Sequence, residues 1–364
     1  MDGTSYRHGR PVDPAAAEEL RKALAFFYGN ENVAVRREAD ATVVAVSAKL
    51  SERELAEVVQ HFLRGHREIP TRVVAEREPP EAHCDLPADD RIEVAAGTYL
   101  EGPDWAAAMA GTVALIRKRL LPEFPAPALR GPAQIARDVL VRAGYYRKFP
   151  NLVNAISRIR PDYWDGVAVA QLRPGQTEAL SSFYLPSDMV LNPVTCYHIY
   201  ANASSLLSRY GVGRFVIDGP VFRHESHNHD ATRLAEFNMT EIVRLGSAAD
   251  VTSEFDRLLD AFTRFFTGLG VPYRIVTAAD PFFGEDPTVT RSAQLLSGSK
   301  FEVRIPLLAG ELSVASVNSH GAVFADAFGL RAEHGTEATC CAGIGLERLT
   351  FALTSYGLSP KLED

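Results

Sequence analysis

Cysteine is scarce in this chain. Its 364 residues include four, Cys84, Cys196, Cys340 and Cys341, too few for a disulfide scaffold at this length. Taken singly, each reads as a buried packing residue unless its surroundings say otherwise. Basic charge is also in deficit, with 38 Lys and Arg against 46 Asp and Glu for a formal net charge of −8. That balance argues against broad electrostatic capture of nucleic acid, though it leaves room for a local basic groove. No uninterrupted apolar run approaches the ~20 residues that span a bilayer. The start, Met1-Asp2-Gly3-Thr4-Ser5-Tyr6-Arg7-His8, lacks the apolar core of a secretion signal. A cytoplasmic protein without a membrane partner is expected. Internal repeats and low-complexity segments are absent as well. What remains, 46% hydrophobic and 23% charged residues, is the composition of an ordinary globular chain long enough for two domains.

The periodicity of residues 15–29 (Ala15, Leu20, Leu24, Ala25, Phe27) predicts an amphipathic helix ending near Gly29-Asn30. Val33–Val35 and Thr42–Val46 read as strands, and Ser51 with Glu54 three residues on as the cap of a helix reaching about Arg64. Thr71–Ala75 reads as another strand. The first 100 residues thus form a small α+β unit without visible site chemistry, holding 13 basic and 18 acidic residues. The proline-rich stretch Glu78–Glu81 through Pro87–Asp90 marks a boundary, giving an accessory domain over 1–100 and a second domain over 103–364. There, Trp105, Met109, Val113, Ile116 and Leu120 predict a helix, and Gly131-Pro132 opens another over 132–144. Short β-type runs follow, at 214–217, 241–245, 273–277, 301–305 and 312–317, with one long helix at about 249–269 between two of them. An antiparallel sheet flanked by helices, an α+β fold, fits this order better than a doubly wound array.

The chemistry concentrates in two stretches. Phe222-Arg223-His224-Glu225, then Arg233-Leu234-Ala235-Glu236-Phe237 and Glu241-Ile242-Val243, read as a hairpin with a charged loop. An arginine at a strand end can grip phosphate through two N–H groups, and a phenylalanine on the returning strand can stack on a base. Gly343-Ile344-Gly345-Leu346-Glu347-Arg348 reads as a strand-to-helix glycine turn that lets a nucleotide approach the backbone while the arginine reaches its phosphates. His224, His227 and His229 sit in the polar loop and read as solvated or phosphate-facing side chains. Glu347 reads as a helix-start carboxylate.

The Phe-Arg-x-Glu segment with its Glu-Phe return resembles motif 2 of class II aminoacyl-tRNA synthetases, and Gly-Ile-Gly-Leu-Glu-Arg resembles their motif 3. The helix 132–144 leading into Tyr146-Arg147-Lys148-Phe149-Pro150 is similar to the weaker motif 1, which in that family builds the dimer interface. The resemblance covers roughly residues 103–364. A finer one follows from Cys196, Glu241 and Cys341, which resemble the active-site zinc ligands of atypical seryl-tRNA synthetases and of their truncated relatives, the amino acid:[carrier protein] ligases. Two thiolates and a carboxylate leave one tetrahedral position of Zn²⁺ open, and in those families it receives the substrate amine. Cys340 stands beside Cys341 and is left open as the ligand by the residues themselves. Cys341 is preferred because it lies two residues before the glycine turn, as the family ligand does. Segments Ala279–Phe283, Ser297–Glu302 and Ser316–Gly321 are similar to the ligases in particular.

The resemblance implies ATP-dependent activation of a small α-amino acid as its adenylate and transfer to the phosphopantetheine thiol of a carrier protein. It implies Zn²⁺, ATP and Mg²⁺ as cofactors and a homodimer, with tRNA not expected as a partner. It places the nucleotide on Arg223, Glu225, Arg233, Phe237, Ser313, Asn318 and Arg348, with Arg223 and Arg348 as the catalytic pair. One departure concerns Mg²⁺, because Ser313 stands where the family usually carries an acid, with Glu311 two residues earlier on the same strand face. The alternatives are an atypical seryl-tRNA synthetase, disfavoured by the short acidic N-terminal region, and a catalytically inactive synthetase-like binding protein.

Overall fold

A computed structural model describes residues 3–64, 69–78, 83–85, 89–225, 230–280, 282, 287–308 and 310–358. His227 and His229 lie outside the described residues, as does part of the proline-rich boundary stretch. In the N-terminal unit, β1 (Thr4–His8), β2 (Val33–Arg37) and β3 (Thr42–Val46) form an antiparallel sheet in the order β1-β3-β2. The helix Pro14–Tyr28 starts with Asp13 accepting from the Ala16 N–H at 2.8 Å, and the helix Glu52–Leu63 carries the Ser51/Glu54 capping box. Their apolar faces meet the sheet through Leu20, Leu24, Val44, Val46, Leu55 and Val59.

β4 (Val73–Arg77) leaves this unit. Its sequence places it with the N-terminal strands, but it pairs antiparallel with a strand 200 residues on (Ile275↔Ala75). A hairpin follows, β5 (Ile92–Ala95) and β6 (Thr98–Leu100), then the helix Pro103–Arg119 and β7 (Ala128–Arg130). The helix expected over 132–144 is only Arg137–Arg142, because β8 (Gln134–Ala136) pairs with β10 (Tyr184–Leu191) first; β10 also pairs with β9 (Ala155–Ile159). The remaining strands are β11 (Arg214–Phe222), β12 (Glu236–Gly246), β13 (Tyr273–Thr277), β14 (Lys300–Leu307), β15 (Gly310–Gly321) and β16 (Ala338–Gly345).

One sheet of eight strands, in the order β4-β13-β14-β15-β16-β12-β11-β7, carries the rest. It is antiparallel except for β7, which runs parallel to β11. Alternation along the strands sorts the core into two faces. Val216, Ile242, Cys340, Ala342 and Ile344 pack with the long helix Ala248–Leu269 and the helix Leu346–Ser355 on one side. Phe215, Ile217, Val243, Leu245 and Cys341 pack on the other with Cys196, Tyr197, Tyr200, Phe324 and Leu330. Each large side chain so buried contributes about 1.5–3 kcal/mol. No helix among the described residues is long and apolar enough to cross a membrane.

Candidate functional site

The second face of the large sheet holds the polar cluster. Cys196, the first residue of the helix Cys196–Ala201, Glu241 on β12 and Cys341 on β16 have ligand atoms all within 4.8 Å of one another, and all three are buried. Glu241, Val243 and Leu245 alternate onto this face, and the β12/β16 register (Glu241↔Gly343, Val243↔Cys341) brings the carboxylate and the thiol together. Gly343 is required here, since a Cβ would stand 3.2 Å from Glu241 Cγ and 2.8 Å from Met239 Cε. Thr195 donates to Glu241 Oε1 from its backbone N–H at 3.0 Å and from its hydroxyl, which leaves the second carboxylate oxygen available. Cys340 points to the opposite face, its thiol 3.7 Å from the Val251 carbonyl on the long helix.

Electrostatics in the cluster favour a cation. Burial pushes the Cys196 thiol well up, and burial together with the nearby Cys341 pushes the Glu241 carboxyl up to about 7. Cys341 moves the other way, held well below the ordinary thiol range by a hydrogen bond from Cys196 with help from His320 and Asn318. A cation among these groups would relieve their mutual repulsion. Two sulfurs and one oxygen suit Zn²⁺ and not the harder Mg²⁺ or Ca²⁺, and three protein donors leave a coordination position open. The donor set therefore fits zinc.

Three arginines converge near the same sheet. Arg223 follows β11, donates from Nε to the Pro193 carbonyl at 3.2 Å and lies over the Phe237 ring at 5.4 Å. Arg348, half-buried in the first turn of the helix Leu346–Ser355, donates to the Thr232 carbonyl at 2.8 Å and to the Ser313 carbonyl at 3.2 Å. Burial, then the neighbouring Arg233 and Arg223 guanidinium groups, push Arg348 below its ordinary value, while Glu225 and Glu302 oppose them. Like charges gathered this way suit an anion. Asp230, at the root of the loop, loses some hydration, but hydrogen bonds from the Thr232 hydroxyl and from the Thr232 and Arg233 N–H groups outweigh this and keep its carboxyl low. Glu347 accepts from the backbone and side-chain amides of Asn238 at 2.9 Å and so ties the last helix to β12; burial raises its carboxyl to about 7.

The placements differ in one respect from a single nucleotide cluster. Asn318 is directed to the cysteines, donating to Ser316 Oγ at 3.1 Å and approaching Cys341 Sγ at 3.8 Å. Near Ser313, Glu311 is ion-paired with Arg274 at 3.1 Å and Arg304 at 3.7 Å. Sequence reasoning attached no role to Asp280, Lys300, Tyr200 or His320. Asp280 pairs with Lys300 and accepts from Gln294 at 2.9 Å; burial alone would raise its carboxyl, and the Lys300 ammonium more than reverses this. A signal for the polar interior was present. Ser316, Asn318 and His320 recur at every second residue of β15, which the sheet buries between β14 and β16.

Comparison with known proteins agrees with this layout. Residues 192–356 match the class II core domain of tRNA synthetases (G, H, P, S and T). The chain is 33% identical over 234 residues to amino acid–[acyl-carrier-protein] ligase 1 of Bradyrhizobium diazoefficiens, covering 62% of this chain and 70% of that protein. Ligase 2 of the same organism is 32% identical over 232 residues, covering 62% and 68%. Among solved structures, the seryl-tRNA synthetase of M. kandleri, in complex with A. aeolicus tRNASec, superposes with a TM-score of 0.62 at 17% identity over 89% of this chain and 70% of that one. At that identity the likeness concerns the fold.

Proposed function

The chain belongs to the amino acid–[acyl-carrier-protein] ligases, ATP-dependent enzymes on a class II synthetase fold, and from that premise we propose that it activates a small α-amino acid as its adenylate and transfers it to a carrier-protein thiol. The observation that carries this reading is that a Cys/Glu/Cys cluster and a cluster of arginines lie on the same two segments. Phe237 and Glu241 lie on one face of β12, roughly 13 Å apart along the strand. Cys341 and Arg348 lie on either side of the glycine turn at the end of β16. An aminoacyl-adenylate has an amine at one end and a phosphate with an adenine at the other, and such a pair of sites suits both ends.

Residues 103–364 carry the chemistry in this proposal, and residues 1–100 serve as an accessory part. Cys196, Glu241 and Cys341 would hold Zn²⁺, whose open position supplies a Lewis-acid seat for the α-amine. Arg223 and Arg348 orient the triphosphate and neutralise charge as the amino acid carboxylate oxygen bonds to the α-phosphorus and pyrophosphate departs. Phe237 stacks on the adenine, and Glu225 accepts from its amine or orients Arg223. Arg233 reaches the distal phosphates, and Ser313 and Asn318 line the space between nucleotide and amino acid. Mg²⁺ accompanies the nucleotide, as it commonly does in such sites. In the second step the phosphopantetheine sulfur bonds to the activated carbonyl carbon and AMP leaves. The working unit is a homodimer.

Amino-acid-dependent ATP–pyrophosphate exchange, run across all the standard amino acids, tests the reading. Exchange driven by one or a few small amino acids is expected. No exchange with any of them would overturn it in favour of a catalytically inactive binding protein.

A further inference from the structure

Behind Cys341, on the side away from Glu241's strand, a second set of buried polar groups is attached to the thiol cluster through one histidine. His320 Nε2 lies 3.7 Å from Cys341 Sγ. Its other ring nitrogen, Nδ1, lies 3.3 Å from the Tyr200 hydroxyl and 3.2 Å from the Thr339 hydroxyl. Tyr200 and Thr339 are fully buried, so each hydroxyl must use a partner nearby. The ring is held edge-on to Tyr200, with centroids 5.8 Å apart, and tilted against Phe324 at 4.7 Å.

A thiolate can only accept, so a Cys341 thiolate takes its hydrogen bond from the ring's Nε2–H, while the two hydroxyls meet Nδ1 and hold the ring's orientation. Asn318 adds a second N–H toward the same sulfur at 3.8 Å. We propose that His320 is a positioning residue for the metal centre: as an Nε2–H donor held in place by Tyr200 and Thr339, it solvates the Cys341 thiolate, fixes its direction and moderates its electron donation. This rests on the reading of Cys196, Glu241 and Cys341 as zinc ligands. Without that donor the thiolate would be a buried anion short of a hydrogen bond, in a costly state, and partners of this outer kind typically govern metal affinity by 10–100-fold, roughly.

The test compares wild type with His320→Phe, which keeps the ring's volume but removes the donor, and His320→Gln, whose amide can restore an N–H at that reach. Two readouts are taken without substrate. One is the rate of zinc loss to a chromophoric chelator. The other is the sulfur-to-cobalt charge-transfer band of the Co²⁺-substituted protein. His320→Phe should lose zinc about 10–100-fold faster and shift the band to longer wavelength, because a thiolate without its hydrogen bond gives up an electron more readily. His320→Gln should recover most of both. Tyr200→Phe, which removes one of the two groups holding the ring, should fall between. If wild type binds no zinc, the ligand reading fails and takes this proposal with it. If wild type holds zinc and His320→Phe releases it at the same rate with an unmoved band, His320 has no such role and the ligand reading stands. Faster loss in His320→Phe that His320→Gln does not reverse would reduce the histidine to a packing residue and overturn the proposal.

Discussion

Cys340 and Cys341 are chemically identical neighbours with opposite fates, because successive side chains on a strand face opposite sides of the sheet. Cys341 joins Cys196 and Glu241, and Cys340 packs against the long helix. Metal analysis of single variants should follow that division. The purified protein is expected to carry about one zinc per chain, which Cys196→Ser, Glu241→Ala and Cys341→Ser should each abolish and Cys84→Ser and Cys340→Ser should keep. Retention in Cys341→Ser with loss in Cys340→Ser would move the ligand by one residue. The arginines separate from the metal in the same way. Arg223→Ala and Arg348→Ala should each cut pyrophosphate exchange by ~10²–10³, the usual cost of losing a contact to developing charge, with zinc content unchanged. Near-normal exchange in both would remove the phosphate role.

Between elements, the join of the last helix to β12 rests on Glu347, whose carboxylate accepts from both amides of Asn238 next to Phe237. Its carboxyl is raised by burial from 4.5 to about 7. A raised acid favours the folded state when protonated, so its contribution is complete below about 4.5 and is lost as the pH rises through about 7. Glu347→Gln carries no such dependence. Thermal unfolding of the two proteins from acidic to mildly alkaline pH should therefore show the wild-type Tm falling relative to the variant by several degrees, since one pKa unit corresponds to ~1.4 kcal/mol. Parallel curves would mean that Glu347 titrates normally. Elements also show where local reading stops. The cap at Ser51 and the long helix were legible because each is set by side chains within a few residues. β4 was assigned to the wrong sheet because its pairing uses backbone groups on the open edge of β13, 200 residues on, and half-exposed Val73 and Val74 carry no address. The helix over 132–144 shortened for a similar reason, since β10 claims Gln134–Ala136.

For the molecule as a whole, the surface charge bears on the acceptor. A tRNA presents a dense phosphate backbone and calls for clustered Lys and Arg with steep salt dependence. This chain carries a net charge of −8, and its first 100 residues hold 18 acidic against 13 basic side chains. Supplied with ATP and radiolabelled amino acid, the protein is expected to label a carrier bearing phosphopantetheine, to leave the apo-carrier unlabelled and to leave tRNA uncharged. Label on tRNA, with indifference to the holo-carrier, would favour an atypical seryl-tRNA synthetase.

By itself the sequence determined the order of the arginine segments and, through the resemblance those short motifs carry, the fold family and a ligand set of Cys196, Glu241 and one of two adjacent cysteines. Phe222–Glu225, Gly343–Arg348 and the cysteine pair just before the second can be read without knowing what lies across the sheet. Only the tertiary structure decided which of two adjacent thiols faces Glu241, that β4 completes the large sheet, and that His320, Tyr200 and Thr339 stand behind Cys341. Those relations join elements separated by between 19 and about 200 residues, and sheet register, a property of the folded backbone, is what brings them within hydrogen-bond reach.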